Sequence, residues 1–348
     1  MKRVREVLSL MLRLGVAVAV IGYLLHKMGL AQLAQTLHAS ASQWPWLLAA
    51  LLLVLLPLLL CMARWKLILD AQDMHLTWRR AGTIFFVGLF FNAFMIGPTG
   101  GDLIKAYYTS RETQHKKTEA VTTIFIDRVV GLFVLALMVG TVILARWSFF
   151  TVDPKIKPVA VTALAVCGAI VGGGIVAFSV HLFEAMPWLR RWQGAGAICR
   201  VFETLERAYN AFYVCRARPQ LLLRLIAYSL AVQLLFVVVG SLVGRALGLT
   251  FPLLDYLSFA PLTGLIGAIP VTPGGIGIRE GGSILLWATL GVPTDKAFLI
   301  AFLPYLALVL WGLPGGILFL FYRASAGQPP SGETDEANEV DTPGRAPS

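Results

Sequence analysis

The chain has 348 residues, 57% of them apolar and 14% charged, with a formal net charge of +10. Charged residues make up about a quarter of an ordinary soluble domain, so this composition excludes one. The cations sit between long apolar runs, which excludes the nucleic-acid reading of a basic chain and fits membrane orientation by loop charge.

The chain opens Met1-Lys2-Arg3-Val4-Arg5 and runs apolar to Leu25. Arg13 interrupts that run, and the nearest small-residue cleavage site, Ala39-Ser40-Ala41, lies too far beyond it for a signal peptide. An uncleaved first span over 6–25 follows. Further full spans are expected at 45–63, 125–145, 159–180, 221–244 and 298–322. Two apolar stretches are too short or too broken to be ordinary spans. They are 82–97, which ends in Gly97-Pro98, and 256–270, followed by a Gly-rich turn and 281–290.

Charge then sets sidedness. Lys2, Arg3 and Arg5 place the N-terminus in the cytoplasm, and Arg64, Lys66, Arg79 and Arg80 place the segment after 45–63 there too. Lys105, Arg111, Lys116 and Lys117 do the same for the end of 82–104, so this stretch enters and leaves on one side. The basic loop 181–220 is cytoplasmic. The flanks of 256–290 then fall outside, giving a second re-entrant hairpin from the opposite face. Loop 146–158 is external in this scheme although it carries Arg146, Lys155 and Lys157. Aromatic and aliphatic residues recur at helical spacing over 188–214, the pattern of an amphipathic helix on the inner surface. The tail 325–348 is rich in Pro, Gly, Ser and acids and reads as disordered.

The two broken segments are versions of one another. Gly100-Gly101-Asp102-Leu103-Ile104-Lys105 and Gly274-Gly275-Ile276-Gly277-Ile278-Arg279 align on their Gly-Gly pairs, with Lys105 and Arg279 at one offset. Matching interrupted segments in the two halves of a membrane protein point to a transport site. Amides at a helix start, together with a cation, bind anions. The bland alternatives stand beside this: an internal pair of Asp102 with Lys105, and a structural pair of Arg279 with Glu280. Charged residues inside a membrane favour function. Asp127 and Arg128 start a span about 100° apart on the helix, so Arg128 is expected to snorkel and Asp127 to face inward, where a buried acid could hold a hairpin cation. Asn92, Thr99 and Thr272 read as backbone-bonding groups, Gly168 and Gly172 as a helix-packing pair, and Trp44, Trp46, Trp65 and Trp78 as interfacial anchors.

No metal or cofactor site is called. Asp70 and Asp73 lack a supporting His cluster, and the four cysteines (Cys61, Cys167, Cys199, Cys215) show neither ligand spacing nor a disulfide framework. No P-loop or nucleophile motif is present, so an enzyme is not expected.

Together, Gly-Gly-Asp-Leu-Ile-Lys (100–105), Ile-Asp-Arg (126–128) and Pro-x-x-Pro-Gly-Gly-x-Gly-x-Arg-Glu (270–280) resemble the transmembrane region of lysylphosphatidylglycerol synthases, which recurs alone in flippase-like membrane proteins. The resemblance implies a lipid-flipping region over residues 1–324. The printed sequence carries no synthase domain after it, so aminoacyl transfer is not expected. The reading is an all-α, polytopic inner-membrane protein with about six full spans, two inverted re-entrant hairpins and cytoplasmic termini. Its expected partner is a membrane lipid bearing phosphate, at a site of Gly100, Gly101, Asp102, Lys105, Asp127, Arg128, Gly274, Gly275, Arg279 and Glu280. Lys105 and Arg279 are expected to hold the phosphate. The alternatives are an enzyme acting on a polyprenyl or lipid phosphate, a small-solute transporter, or an accessory partner of a separate lipid-modifying enzyme.

Overall fold

The computed structural model describes residues 36, 38, 40–94, 100–113, 117–179, 218–269 and 275–325. The expected span 6–25, the amphipathic helix 188–214, the tail beyond 325, and Thr99, Thr272 and Gly274 lie outside these residues. The described residues are helical, with no strand among them.

The helices in chain order are α1 (Trp44–Leu53), α2 (Leu55–Ala71), α3 (Trp78–Phe94), α4 (Gly100–Glu112), α5 (Lys117–Ala145), α6 (Trp147–Val152), α7 (Lys157–Ser179), α8 (Pro219–Ala246), α9 (Leu253–Gly267), α10 (Ile278–Ala288) and α11 (Thr294–Ser325). Five stretches are long and apolar enough to cross a bilayer: Trp44–Ala71, Glu119–Ala145, Lys157–Ile175, Pro219–Ala246 and Thr294–Phe321. All five begin before the expected point, and Trp44–Ala71 runs well past 63. Arg64, Lys66, Asp127 and Arg128 end apolar runs in the sequence but not helices in the fold. All four carry ion pairs. Arg64 and Lys66 are buried rather than displayed as loop charges.

The two interrupted regions each form a pair of packed helices, α3 with α4 and α9 with α10. The two pairs lean on the same two long helices. In the first pair, α3 lies along α11 and α4 along α5; in the second, α9 lies along α5 and α10 along α11. First and second arms thus exchange places.

Backbone approach explains the closest of these contacts. A side chain at Gly315 would sit 1.9 Å from the Phe86 carbonyl oxygen, so only glycine lets α11 rest on α3. Trp311 Nε1 donates to the Leu51 carbonyl oxygen at 2.7 Å and ties α11 to α1. An aromatic knot of Phe251, Tyr256 and Phe259 surrounds Trp287, with ring centroids 4.9–5.5 Å away. Outward residues such as Leu144, Leu223, Leu320 and Phe321 are apolar and exposed, the distribution of helices set in lipid.

Three readings of individual residues need correction. A Cβ added at Gly168 or Gly172 would meet nothing within 4 Å among the described residues; it is Gly140 and Gly174 that bring α5 and α7 together, against Cys167 and Phe133. Trp65 is fully buried, whereas Trp44, Trp46 and Trp78 are exposed. Arg146 does not stand as a free loop charge: its guanidinium donates to Asp255 at 2.7 Å and to Ser258 at 2.8 Å. A neutralised Arg146 weakens the objection that loop 146–158 is too basic to lie outside.

Candidate functional site

The tip of the first helix pair is closed by glycine. A Cβ at Gly101 would lie 1.8 Å from the Gly88 carbonyl oxygen, so the two backbones touch there. Asn92 Oδ1 accepts the Gly101 N–H at 2.9 Å, satisfying one of the unpaired amides at the start of α4. One turn on, Lys105 is buried, with Nζ 4.3 Å from the Trp65 ring centroid and 5.1 Å from that of Phe85. Its stem lies against Gly88, where a Cβ would come within 2.4 Å.

The second tip repeats the arrangement. Gly275, at φ 71°, lies against Gly267, whose carbonyl oxygen would be 2.3 Å from an added Cβ. Arg279, again four residues on, lays its stem against Gly267, where an added Cβ would come within 3.2–3.4 Å of it, and holds its guanidinium 4.4 Å from the Tyr305 ring centroid. Glu280 is fully buried. It accepts the Gly277 N–H, which caps α10, and pairs with Arg279. Each tip therefore sets a glycine of the first arm against a turn glycine and against the cation one turn later. The sequence alignment of Lys105 with Arg279 reappears as a matched set of contacts.

The remaining charges pair across elements. Arg128 on α5 donates to both carboxylate oxygens of Asp102 on α4, at 2.7 and 2.9 Å. This two-pronged geometry is the strong form of the Arg–carboxylate pair. Arg128 therefore reaches the first tip rather than snorkelling, and Asp102 pairs with it rather than with Lys105. Asp127, buried, takes Arg64 Nε at 2.8 Å, and Arg64 also donates to Ser229 Oγ at 2.7 Å. The acid holds a cation of α2, not a hairpin cation.

A cavity of about 430 Å³ lies between α5, α8, α9, α10 and α11, and both Arg128 and Arg279 line it. The half-exposed Arg128 guanidinium faces open space about 13 Å along the span that starts at Glu119. Lys105 is absent from the lining. Gly100 and Gly101 sit buried in the first tip and Gly275 in the second. Arg64, Trp65, Gln233 and Tyr305 were not singled out from sequence as site or site-supporting residues. Their signal was weak: Trp65 reads as an anchor, Arg64 as a loop cation, and Gln233 and Tyr305 as lone polar groups in apolar runs. Among the described residues no group of His, Cys, Asp or Glu is placed to hold a metal ion. Asp70 instead accepts from Lys66.

Five apolar spans, two packed helix pairs and ion pairs buried between them define an all-helical, multi-pass membrane protein. Its family follows from the match of residues 10–324 to the model described as the lysylphosphatidylglycerol synthase TM region. The chain belongs to this family. Comparison with curated proteins gave no match.

Proposed function

We propose that this protein moves a phosphate-bearing lipid headgroup between the leaflets of the membrane, without catalysing a reaction on it. One observation carries the reading: Arg128, paired with the first tip, and Arg279, of the second, line one cavity between the long apolar helices. A bare headgroup crossing hydrocarbon loses its hydration, so a path must offer polar groups in its place. Guanidinium forks match phosphate oxygens in pairs. Asp102 and Glu280 hold the two forks when no ligand is present, and phosphate competes for the same N–H groups. Acyl tails stay in the bilayer. A separate lipid-modifying enzyme would supply or consume the lipid.

The test is lipid movement in proteoliposomes containing a fluorescent phospholipid, with the outer leaflet quenched from outside. Wild-type protein is expected to speed the slow phase well above protein-free vesicles. Arg279→Lys keeps the charge but loses the fork, and is expected to slow it roughly tenfold or more, the loss of one or two charge-assisted hydrogen bonds. A wild-type rate equal to that of empty vesicles would overturn the reading.

The same reading makes both helix pairs re-entrant, from opposite faces of the inner membrane, with both termini cytoplasmic. Thiol labelling of single-cysteine variants in intact cells checks this. Lys296→Cys and Lys155→Cys are expected to label from outside, and Arg111→Cys only after permeabilisation. External labelling of Arg111→Cys would reverse the first pair.

A further inference from the structure

A second cavity, of about 650 Å³, lies where α8 ends and α9 begins. Arg245, in the last turn of α8, is its charged lining residue. The Arg245 guanidinium stands 5.3 Å from the Trp46 ring centroid and has no carboxylate partner among the described residues. Lys296 adds a cation nearby: its Nζ is 4.0 Å from where a Cβ on Gly248, another lining residue, would stand. Tyr256 lines this cavity and also the one that holds Arg128 and Arg279.

The two cavities lie in series along α5. Arg128 is about 27 Å of helix before Arg146, at 1.5 Å per residue. Arg146 holds Asp255, the residue before Tyr256, at 2.7 Å. Arg128 and Tyr256 thus stand towards opposite ends of α5, a separation close to the hydrocarbon thickness of about 30 Å. The Arg146 pair pins the backbone at Tyr256, but the tip of the side chain is not held. Its hydroxyl is buried with no hydrogen-bond partner among the described residues, although a buried phenol usually finds one. The ring packs against Trp287, with centroids 4.9 Å apart, and lies on α8 over Gly240 and Gly244. A Cβ at Gly244 would come 1.8 Å from the hydroxyl oxygen. A free donor between two cationic cavities lacks only an acceptor, and a phosphate oxygen is one.

We propose that the second cavity is a second phosphate station, with Arg245 as its cation, and that the Tyr256 side chain is the movable partition between the two stations. Phosphate leaves Arg128 and Arg279, takes a hydrogen bond from the Tyr256 hydroxyl in passing, and reaches Arg245. Between passages the ring lies back on the two glycines of α8 and separates the cavities. A polar path left open from end to end would conduct ions, so a partition that closes is required. This assignment rests on the headgroup reading and adds the next stop of the phosphate and the residue that controls access to it.

Two measurements test it. The first is labelling by an anionic, membrane-impermeant thiosulfonate of Ser241→Cys, in the second cavity, and Ala260→Cys, in the first, each with the four native cysteines replaced by alanine. The reagent is applied from the face that labels Ser241→Cys, in intact cells or in inside-out vesicles. Ala260→Cys is expected to label roughly tenfold more slowly than Ser241→Cys, or slower still. Adding Gly244→Ala, which must displace the Tyr256 hydroxyl, is expected to close most of that gap. Tyr256→Ala does the same by removing the ring, should Gly244→Ala fail to fold. Equal rates without either change, or a gap that survives displacement of the ring, would overturn the partition. The second measurement is lipid movement in proteoliposomes. Arg245→Gln is expected to slow it roughly tenfold, whereas Arg79→Gln, at an exposed position, leaves it unchanged. Arg245→Gln at the wild-type rate, with wild type moving lipid, would overturn the second station and leave the headgroup reading standing; Arg245 would then only offset the α8 dipole. Wild type that moves no lipid would overturn the headgroup reading and the station with it, while the labelling rates still decide the partition.

Discussion

Asp127→Leu is expected to destabilise the folded protein by about 3–5 kcal/mol, the cost of leaving a buried charge without its partner. The stranded group is Arg64, whose Nε donates to Asp127 at 2.8 Å and whose other arm donates to Ser229 at 2.7 Å. Both partners of the ion pair have less than a tenth of their side chain exposed. Ser229 passes its own proton to the Leu225 carbonyl oxygen, so it cannot replace the carboxylate. A side chain at Gly131 would meet the Arg64 guanidinium at 3.1 Å, so the charge has little room to move to another acceptor. The pair joins α2, α5 and α8, and its loss should loosen all three at once. Arg64→Leu is expected to cost a similar amount by stranding Asp127. The double variant Arg64→Leu/Asp127→Leu should recover most of the loss, because an apolar pair in a packed interior is often as stable as the ion pair it replaces. Thermal melting of the purified variants, read with wild type in the same detergent, checks each step. Single variants that melt with wild type would mean that water reaches the pair. A double variant no better than the singles would mean that the pair sets helix register as well as charge balance.

This pair also marks where the sequence stopped being readable. Apolar runs located the long helices because lipid demands a span of about 20 apolar residues. The Pro/Gly breaks located the two helix pairs, because those residues cannot continue a helix without cost. Lys105 and Arg279 were aligned correctly as the cations one turn after a tip glycine. Their surroundings were not legible. Sequence spacing says that Asp102 and Lys105 share a helix face, but it does not say that Arg128, 26 residues away, offers Asp102 a better two-pronged partner. Nor does it say that Arg64 turns inward to Asp127 across 63 residues. A cation next to an apolar run counts as a loop charge until a partner in space is known. Trp65 misled for the same reason: beside Arg64 and Lys66 it reads as an anchor at the water boundary, whereas in the fold it is the buried ring beneath Lys105. The two cations therefore share local geometry without sharing a cavity wall, a difference that only long-range packing decides.

That difference yields the last expected result: Arg128 and Arg279 should be coupled in lipid binding, and Lys105 and Arg279 should not. If one phosphate bridges the two guanidinium groups, removing either fork already loses the shared geometry, and removing the second adds little. Coupling between residues on one ligand is on the order of 0.5–3 kcal/mol, whereas distant sites add within about 0.5 kcal/mol. Each arginine has to be neutralised with its counterion, or a stranded acid will dominate the measurement. The units of the cycle are therefore Arg128→Gln with Asp102→Asn, and Arg279→Gln with Glu280→Gln. Glutamine at 280 keeps a carbonyl oxygen for the Gly277 N–H, so the start of α10 stays capped. Lys105→Met keeps the apolar stem against Gly88 and the contact with Trp65 while removing the charge. Binding of a phosphate-bearing lipid to each variant, titrated in one detergent, gives both cycles. Strict additivity for Arg128 with Arg279 would mean that the two line one cavity but grip different groups. Strong coupling of Lys105 with Arg279 would mean that Lys105 leaves Trp65 in the bound state and swings towards the ligand.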